Sequence, residues 1–208
     1  SLPPGIAVAL LLARVNFPGK SLVNGLVHLP LVLPPVVTGY GLLLLFGRRA
    51  PVGAWLESAF GIVLAFRWTG AAVAAAVMGF PLMVRAIRLS IEAVDQKLES
   101  AARTLGANRV WTFVTITLPM ALPGVLAGAI LAFAKSLGEF GATITFVSNV
   151  PGETRTLPNA IYTFTQVPGG DAAALRLCAI AVILSLIALI ASEILSRAVR
   201  RRLFTDVA

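Results

Sequence analysis

The sequence predicts an all-α integral membrane protein with about five transmembrane helices, the first of them truncated. Three observations carry that reading. Hydrophobic residues make up 58% of the chain and charged residues 12%, where soluble domains carry about 25% charged residues. Mean hydropathy is +0.90. The apolar residues are also gathered into segments, several of them at or beyond the roughly 20 residues that cross a hydrocarbon layer. The net charge of +8 is scattered over the intervening loops and the C-terminus. With no continuous basic face, it speaks for membrane topology and against a nucleic-acid partner.

In order along the chain, SLPPGIAVALLLA before Arg14 is too short to span alone and reads as the second half of a first spanning helix. It lacks the basic start and cleavage site of a signal peptide. Ser21–Phe46 is long enough to span, with Pro30, Pro34 and Pro35 kinking or breaking it. An interfacial helix is expected around Leu56–Phe66, followed by a span over Trp68–Val84. Thr112–Val147 is too long for one straight crossing and contains Pro119, Pro123, Gly124, Gly128, Gly138 and Gly141. Ala172–Ser196 is the last span, with Cys178 alone inside it and so without an internal disulfide partner. With no internal repeat or low-complexity linker, residues 1–208 read as a single transmembrane domain.

Five crossings divide the basic residues unevenly. One side receives Arg14, Lys20, Arg85, Arg88, Lys97, Arg103, Arg109, Arg197, Arg200, Arg201 and Arg202. The other receives Arg48, Arg49, Arg67, Arg155 and Arg176. By the positive-inside tendency, the richer side, with loop 85–111 and the C-terminus, faces the cytoplasm.

Within that loop, Asp95 is an N-cap for a short amphipathic helix on which Leu98, Ala101, Ala102 and Leu105 share a face. Glu99 and Arg103 are spaced to pair at i,i+4. Gly106 reads as the terminating glycine, and Asn108 as the cap of a second helix re-entering the membrane through Ile116 and Leu118-Pro119.

The run Ser100-Ala101-Ala102, three residues, Gly106, nine residues, Ile116, one residue, Leu118-Pro119 resembles the EAA loop of ABC-importer permeases. Ser100 stands where that motif has Glu, and Glu99 lies one place earlier. FPGK (17–20), HLPLVLPPVVTGY (28–40), FGRR (46–49), AAVMGFPLMVRAIRLSIEAVD (75–95), KSLGEFGATITFVSNVPGETRTLP (135–158) and PGG (168–170) extend the resemblance to the molybdate-importer permeases. Sulfate and thiosulfate permeases have similar segments, and tungstate is close to molybdate in size and charge. The resemblance implies a type I (MetI-like) transmembrane domain of an inner-membrane importer, working as a homodimer by alternating access. It implies a cytoplasmic ATPase subunit, holding ATP and Mg, docked through Asp95, Leu98, Glu99, Ser100, Ala101, Ala102, Arg103, Leu105 and Gly106. It also implies an extracytoplasmic molybdate-binding protein, whose contact is expected at Gly152, Glu153, Thr154 and Arg155.

Lys135 and Glu139 are four residues apart at membrane depth, where an ionisable pair needs a reason. Either they form a structural ion pair, or the surrounding Ser136, Gly138 and Gly141 belong to a translocation path and its gate. Pro34, Pro35, Thr38 and Gly39 are the matching candidates in the second segment; Tyr40 adds a hydroxyl there. His28 has no ligand-type neighbour in sequence. The chain has neither a G-x-x-x-x-G-K-[ST] phosphate loop nor a Cys/His cluster at zinc spacing, so the sequence predicts no catalytic or metal role of its own. Two other readings stay open: an ion-driven secondary carrier using Lys135–Glu139 as a relay, and a membrane scaffold.

Overall fold

In the computed structural model, which describes residues 1–204, every regular element is helical. The order is α1 (Leu2–Arg14), α2 (Lys20–Val32), α3 (Pro35–Phe46), α4 (Pro51–Phe60), α5 (Trp68–Glu92), α6 (Gln96–Thr104) and α7 (Arg109–Thr112). A π-helical turn (Phe113–Thr117) leads into α8 (Leu118–Leu137), and α9 (Gly141–Val147), α10 (Leu157–Thr165) and α11 (Asp171–Phe204) complete the chain. Thr205–Ala208, and the side chains of the tail residues Arg200, Arg201 and Arg202, lie outside the described residues.

Among the described residues, three helical stretches are long and apolar enough to cross a membrane: Trp68–Glu92, Arg109–Leu137 and Asp171–Ala191. Helices α2 and α3 pass the same test only together, and they meet at a bend of 117°. The break follows from the Pro34-Pro35 pair, since a residue before proline is driven out of the α region. Pro30, by contrast, lies inside α2 without ending it. Helix α1, at 13 residues, is shorter than a span.

One expectation needs correction. The short helix expected over Leu56–Phe66 is instead α4, Pro51–Phe60: Pro51 starts it, and Gly61, left-handed at φ 66°, ends it. The stretch Ser148–Asp171, which in sequence reads as the connection between the last two apolar segments, contains the helix α10.

By packing, the chain divides into two units, one of residues 1–24, 82–132 and from 188, the other of 25–81 and 133–187. In the first, Leu12, Met83, Val84, Ile87, Ile91 and Val125 are buried. Gly124 and Gly128 serve close approach there, since a Cβ on Gly128 would lie 2.9 Å from the Met83 carbonyl oxygen and one on Gly124 would overlap Ser90. Glycines four apart are a recurrent device for drawing membrane helices together. They do not loosen α8, which runs unbroken from Leu118 to Leu137. The second unit is built around Leu42, Ala74, Met78, Ala142, Phe146 and Val147, with the Phe46 and Phe146 rings 6.5 Å apart.

Candidate coupling site

Helix α6 forms where its sequence is polar and short because both ends are capped. The Asp95 carboxylate accepts from the Lys97 backbone N–H at 2.9 Å. At the other end Gly106 takes φ 93°. The Gly106 N–H then reaches the Arg103 carbonyl and the Ala107 N–H the Ala102 carbonyl, each at 3.0 Å. That pair of bonds is a Schellman motif, which satisfies carbonyls a helix end would leave orphaned. Asn108 then caps α7, its side chain accepting from the Trp111 N–H at 2.8 Å. All three punctuation residues act as their sequence positions predict.

Apolar side chains of this segment are left in solvent. Leu98 is 45% and Leu105 89% exposed, Ser100 and Ala101 are exposed, and Ala102 is half-buried. Leu105, Gly106, Asn108, Trp111, Thr115 and Ile116 border an open groove of about 560 Å³. Glu99 departs from expectation. It does not pair with Arg103 but turns inward, 7% exposed, where its Oε1 accepts from Arg14 Nη2 at 2.8 Å and from Thr117 Oγ1 at 2.8 Å. Sequence spacing favours the local partner; the fold supplies a better one from 85 residues away.

The second candidate cluster lies in the other unit. Thr38 and Gly39 are buried in α3, and a Cβ on Gly39 would meet the Ala142 carbonyl oxygen at 2.5 Å. Gly141 is equally tight against Pro35, at 2.8 Å. Helices α3 and α9 therefore touch backbone to backbone. Glu139 is not on a helix shared with Lys135, since α8 stops at Leu137 and α9 starts at Gly141. The ion pair nevertheless forms, Lys135 Nζ to Glu139 Oε2 at 3.3 Å. The other oxygen accepts from the Ala142 backbone N–H at 2.9 Å, so Glu139 satisfies an otherwise free donor at the start of α9. Ser136 donates to the Ala75 carbonyl at 3.0 Å, while Gly138, Pro34 and Pro35 are exposed. The Thr38 hydroxyl is buried without a hydrogen-bond partner.

Residues 5–202 match the family model described as binding-protein-dependent transport system inner membrane component. The chain belongs to that family. It is 62% identical over 202 residues to the molybdenum transport system permease protein ModB of Escherichia coli (strain K12), covering 97% of this chain and 88% of that protein. It is 38% identical to the sulfate transport system permease protein CysT of the same organism, over 78% of this chain and 58% of that one. Among solved structures, an inward-facing conformation of the MetNI methionine ABC transporter superposes with a TM-score of 0.70 at 20% identity, covering 94% of this chain and 85% of that one. The type I fold expected from the EAA-like loop is thus the fold present.

As an inner membrane component of binding-protein-dependent transport, the chain presents a short loop between α9 and α10 that holds the four residues expected to contact a binding protein. Gly152 and Glu153 are exposed at its tip, with Gly152 at φ 77°. Thr154 is 2% exposed, and its hydroxyl accepts from the Val150 N–H at 3.0 Å, so it supports the loop from within. Arg155 is half-buried, its Nε donating to Asn149 Oδ1 at 3.0 Å, and Asn149 donates in turn to Thr163 at 2.7 Å. Sequence reading missed Asn149, a short polar residue beside the turn, and Thr163, a hydroxyl within α10. Among the described residues no group of three or more His, Cys, Asp or Glu is placed to hold a metal.

Proposed function

We propose that this chain is the permease subunit of an ATP-driven importer of molybdate or tungstate. Two copies enclose the pathway, and each docks a cytoplasmic ATPase subunit through α6. The observation that carries the substrate class is the 62% identity, over 97% of the chain, to a molybdenum transport permease. The docking surface is supported by geometry: a doubly capped helix with Leu98 and Leu105 left in solvent, of the kind that seats in an apolar groove. Burying a leucine contributes about 1.5–3 kcal/mol, so these two side chains are a sizeable fraction of an interface.

The uneven distribution of basic residues supports a cytoplasmic loop 85–111 and C-terminus. Mechanistically, ATP with Mg on the partner subunit drives closure of the ATPase pair, which draws the two α6 helices together and opens the membrane helices outward. Hydrolysis resets them. An extracytoplasmic molybdate-binding protein delivers the anion, and the exposed tip Gly152-Glu153 is its candidate contact. Buried Thr154 supports the tip from beneath, and Arg155 is held by Asn149. Lys135 and Glu139 are paired across a helix break, and Glu139 also accepts from the Ala142 N–H, which supports a structural role over an ion relay.

The test is uptake into proteoliposomes containing the permease, its ATPase and its binding protein. ATP-dependent accumulation of labelled molybdate, competed by tungstate, is the expected result. Accumulation of sulfate with molybdate ignored would overturn the substrate, and accumulation driven by an ion gradient without ATP would overturn the mechanism.

A further inference from the structure

The inward turn of Glu99 is unexplained by docking. A side chain that contacts a partner through α6 belongs with Leu98 and Leu105 on the exposed side, yet Glu99 is 7% exposed. Its Oε1 gathers donors from two other elements: Arg14, the last residue of α1, and Thr117, the last residue of the π-helical turn before α8. Arg14 Nη2 also donates to the Val94 carbonyl at 3.1 Å, just before α6 begins. Beside this junction is a cavity of about 380 Å³ lined by Arg14, Glu99, Arg103, Arg109 and Thr117 among others. Two further arginines thus border the same space, and the carboxylate bonds the one that leads into α1. A π-helical turn is a local irregularity often found at functional positions, and here it ends on the residue that holds Glu99.

We propose that Glu99 is a positioning residue, the joint through which displacement of α6 is carried to α1 and to the start of α8. The ATPase touches the outer side of α6; the carboxylate on the inner side makes α6 move with the membrane helices instead of turning on the short connections at 93–95 and 105–108. This inference rests on the permease reading. It also gives the one-residue shift of the acidic position a physical meaning: moving Glu from 100 to 99 rotates it by about 100° around the helix, from 3.6 residues per turn, and so from the exposed side to the inner one.

The test uses the complete importer in proteoliposomes with its ATPase and binding protein, comparing molybdate accumulated per ATP hydrolysed. Glu99→Ala removes both bonds and is expected to lower uptake per ATP tenfold or more while the ATPase still co-purifies and hydrolyses ATP. Glu99→Gln keeps an oxygen where both donors meet and should retain at least half of the wild-type ratio. Thr117→Val, nearly isosteric, removes one bond and should lower the ratio two- to fivefold; it decides the matter alone if Glu99→Ala does not assemble. Wild-type uptake per ATP in an assembled Glu99→Ala complex, or in Thr117→Val, overturns the joint. Loss of ATPase co-purification in Glu99→Ala with Thr117→Val unaffected also overturns it, by placing the carboxylate at the ATPase surface. If wild-type protein neither binds the ATPase nor transports, the permease reading itself fails.

Discussion

At the scale of single residues, the informative cases are charges whose partners differ from the nearest opposite charge in sequence. Lys135 and Glu139 are the counter-example, paired at i,i+4 as their spacing suggests, yet across a helix break. Their exposures are unequal, 32% for the lysine side chain and 1% for the glutamate. Removing the lysine therefore strands a buried carboxylate, which is the expensive way to break such a pair. Lys135→Ala is expected to cost about 2–3 kcal/mol. Glu139→Gln, which can still accept from the Ala142 N–H, is expected to cost about 1 kcal/mol. The double variant should recover most of the Lys135→Ala loss. Thermal unfolding of the detergent-solubilised protein measures all three, and a double variant as unstable as the sum of the singles would contradict the account.

At the scale of elements, α6 shows how much of a site local sequence can specify. Its cap Asp95, its terminator Gly106 and the following cap Asn108 are legible because each works within a few residues, through donors and acceptors at fixed offsets. The partner of Glu99 was not legible, because Arg14 lies 85 positions away and Arg103 offers a competing match four away. The π-helical turn and α10 were missed for similar reasons: the first keeps the composition of its helix, and the second is a nine-residue helix inside a polar loop. Gly106 permits a clean test of the local half. A Cβ there meets nothing within 4 Å, so substitution acts through backbone conformation alone. Gly106→Ala should destabilise the cap by about 1 kcal/mol and speed amide exchange at positions 106 and 107. In the assembled importer it should reduce uptake per ATP severalfold. Unchanged exchange at those amides would show that the left-handed turn carries no strain for alanine.

At the scale of the whole molecule, composition sufficed for class, and the EAA-like spacing sufficed for family, because both are properties of many residues read together. The site details were harder, since burial decides which polar residues are available. Thr154 and Glu99 are withdrawn, and Leu98 and Leu105 are offered. The withdrawal of Glu99 has an electrical consequence for whatever seats on α6. Between Asp95 and Arg109, Glu99 is withdrawn against Arg14, which leaves Asp95 as the one exposed acidic group of the segment. Lys97, Arg103 and Arg109 remain exposed. The surface is thus cationic around an apolar centre, and a complementary cleft would be acidic at its rim. Association of the permease with its ATPase should then weaken as ionic strength rises from 0.05 to 0.5 M, the range in which screening shortens from about 14 to about 4 Å. The Lys97→Gln/Arg103→Gln variant should flatten that dependence, with binding followed by co-sedimentation in salt.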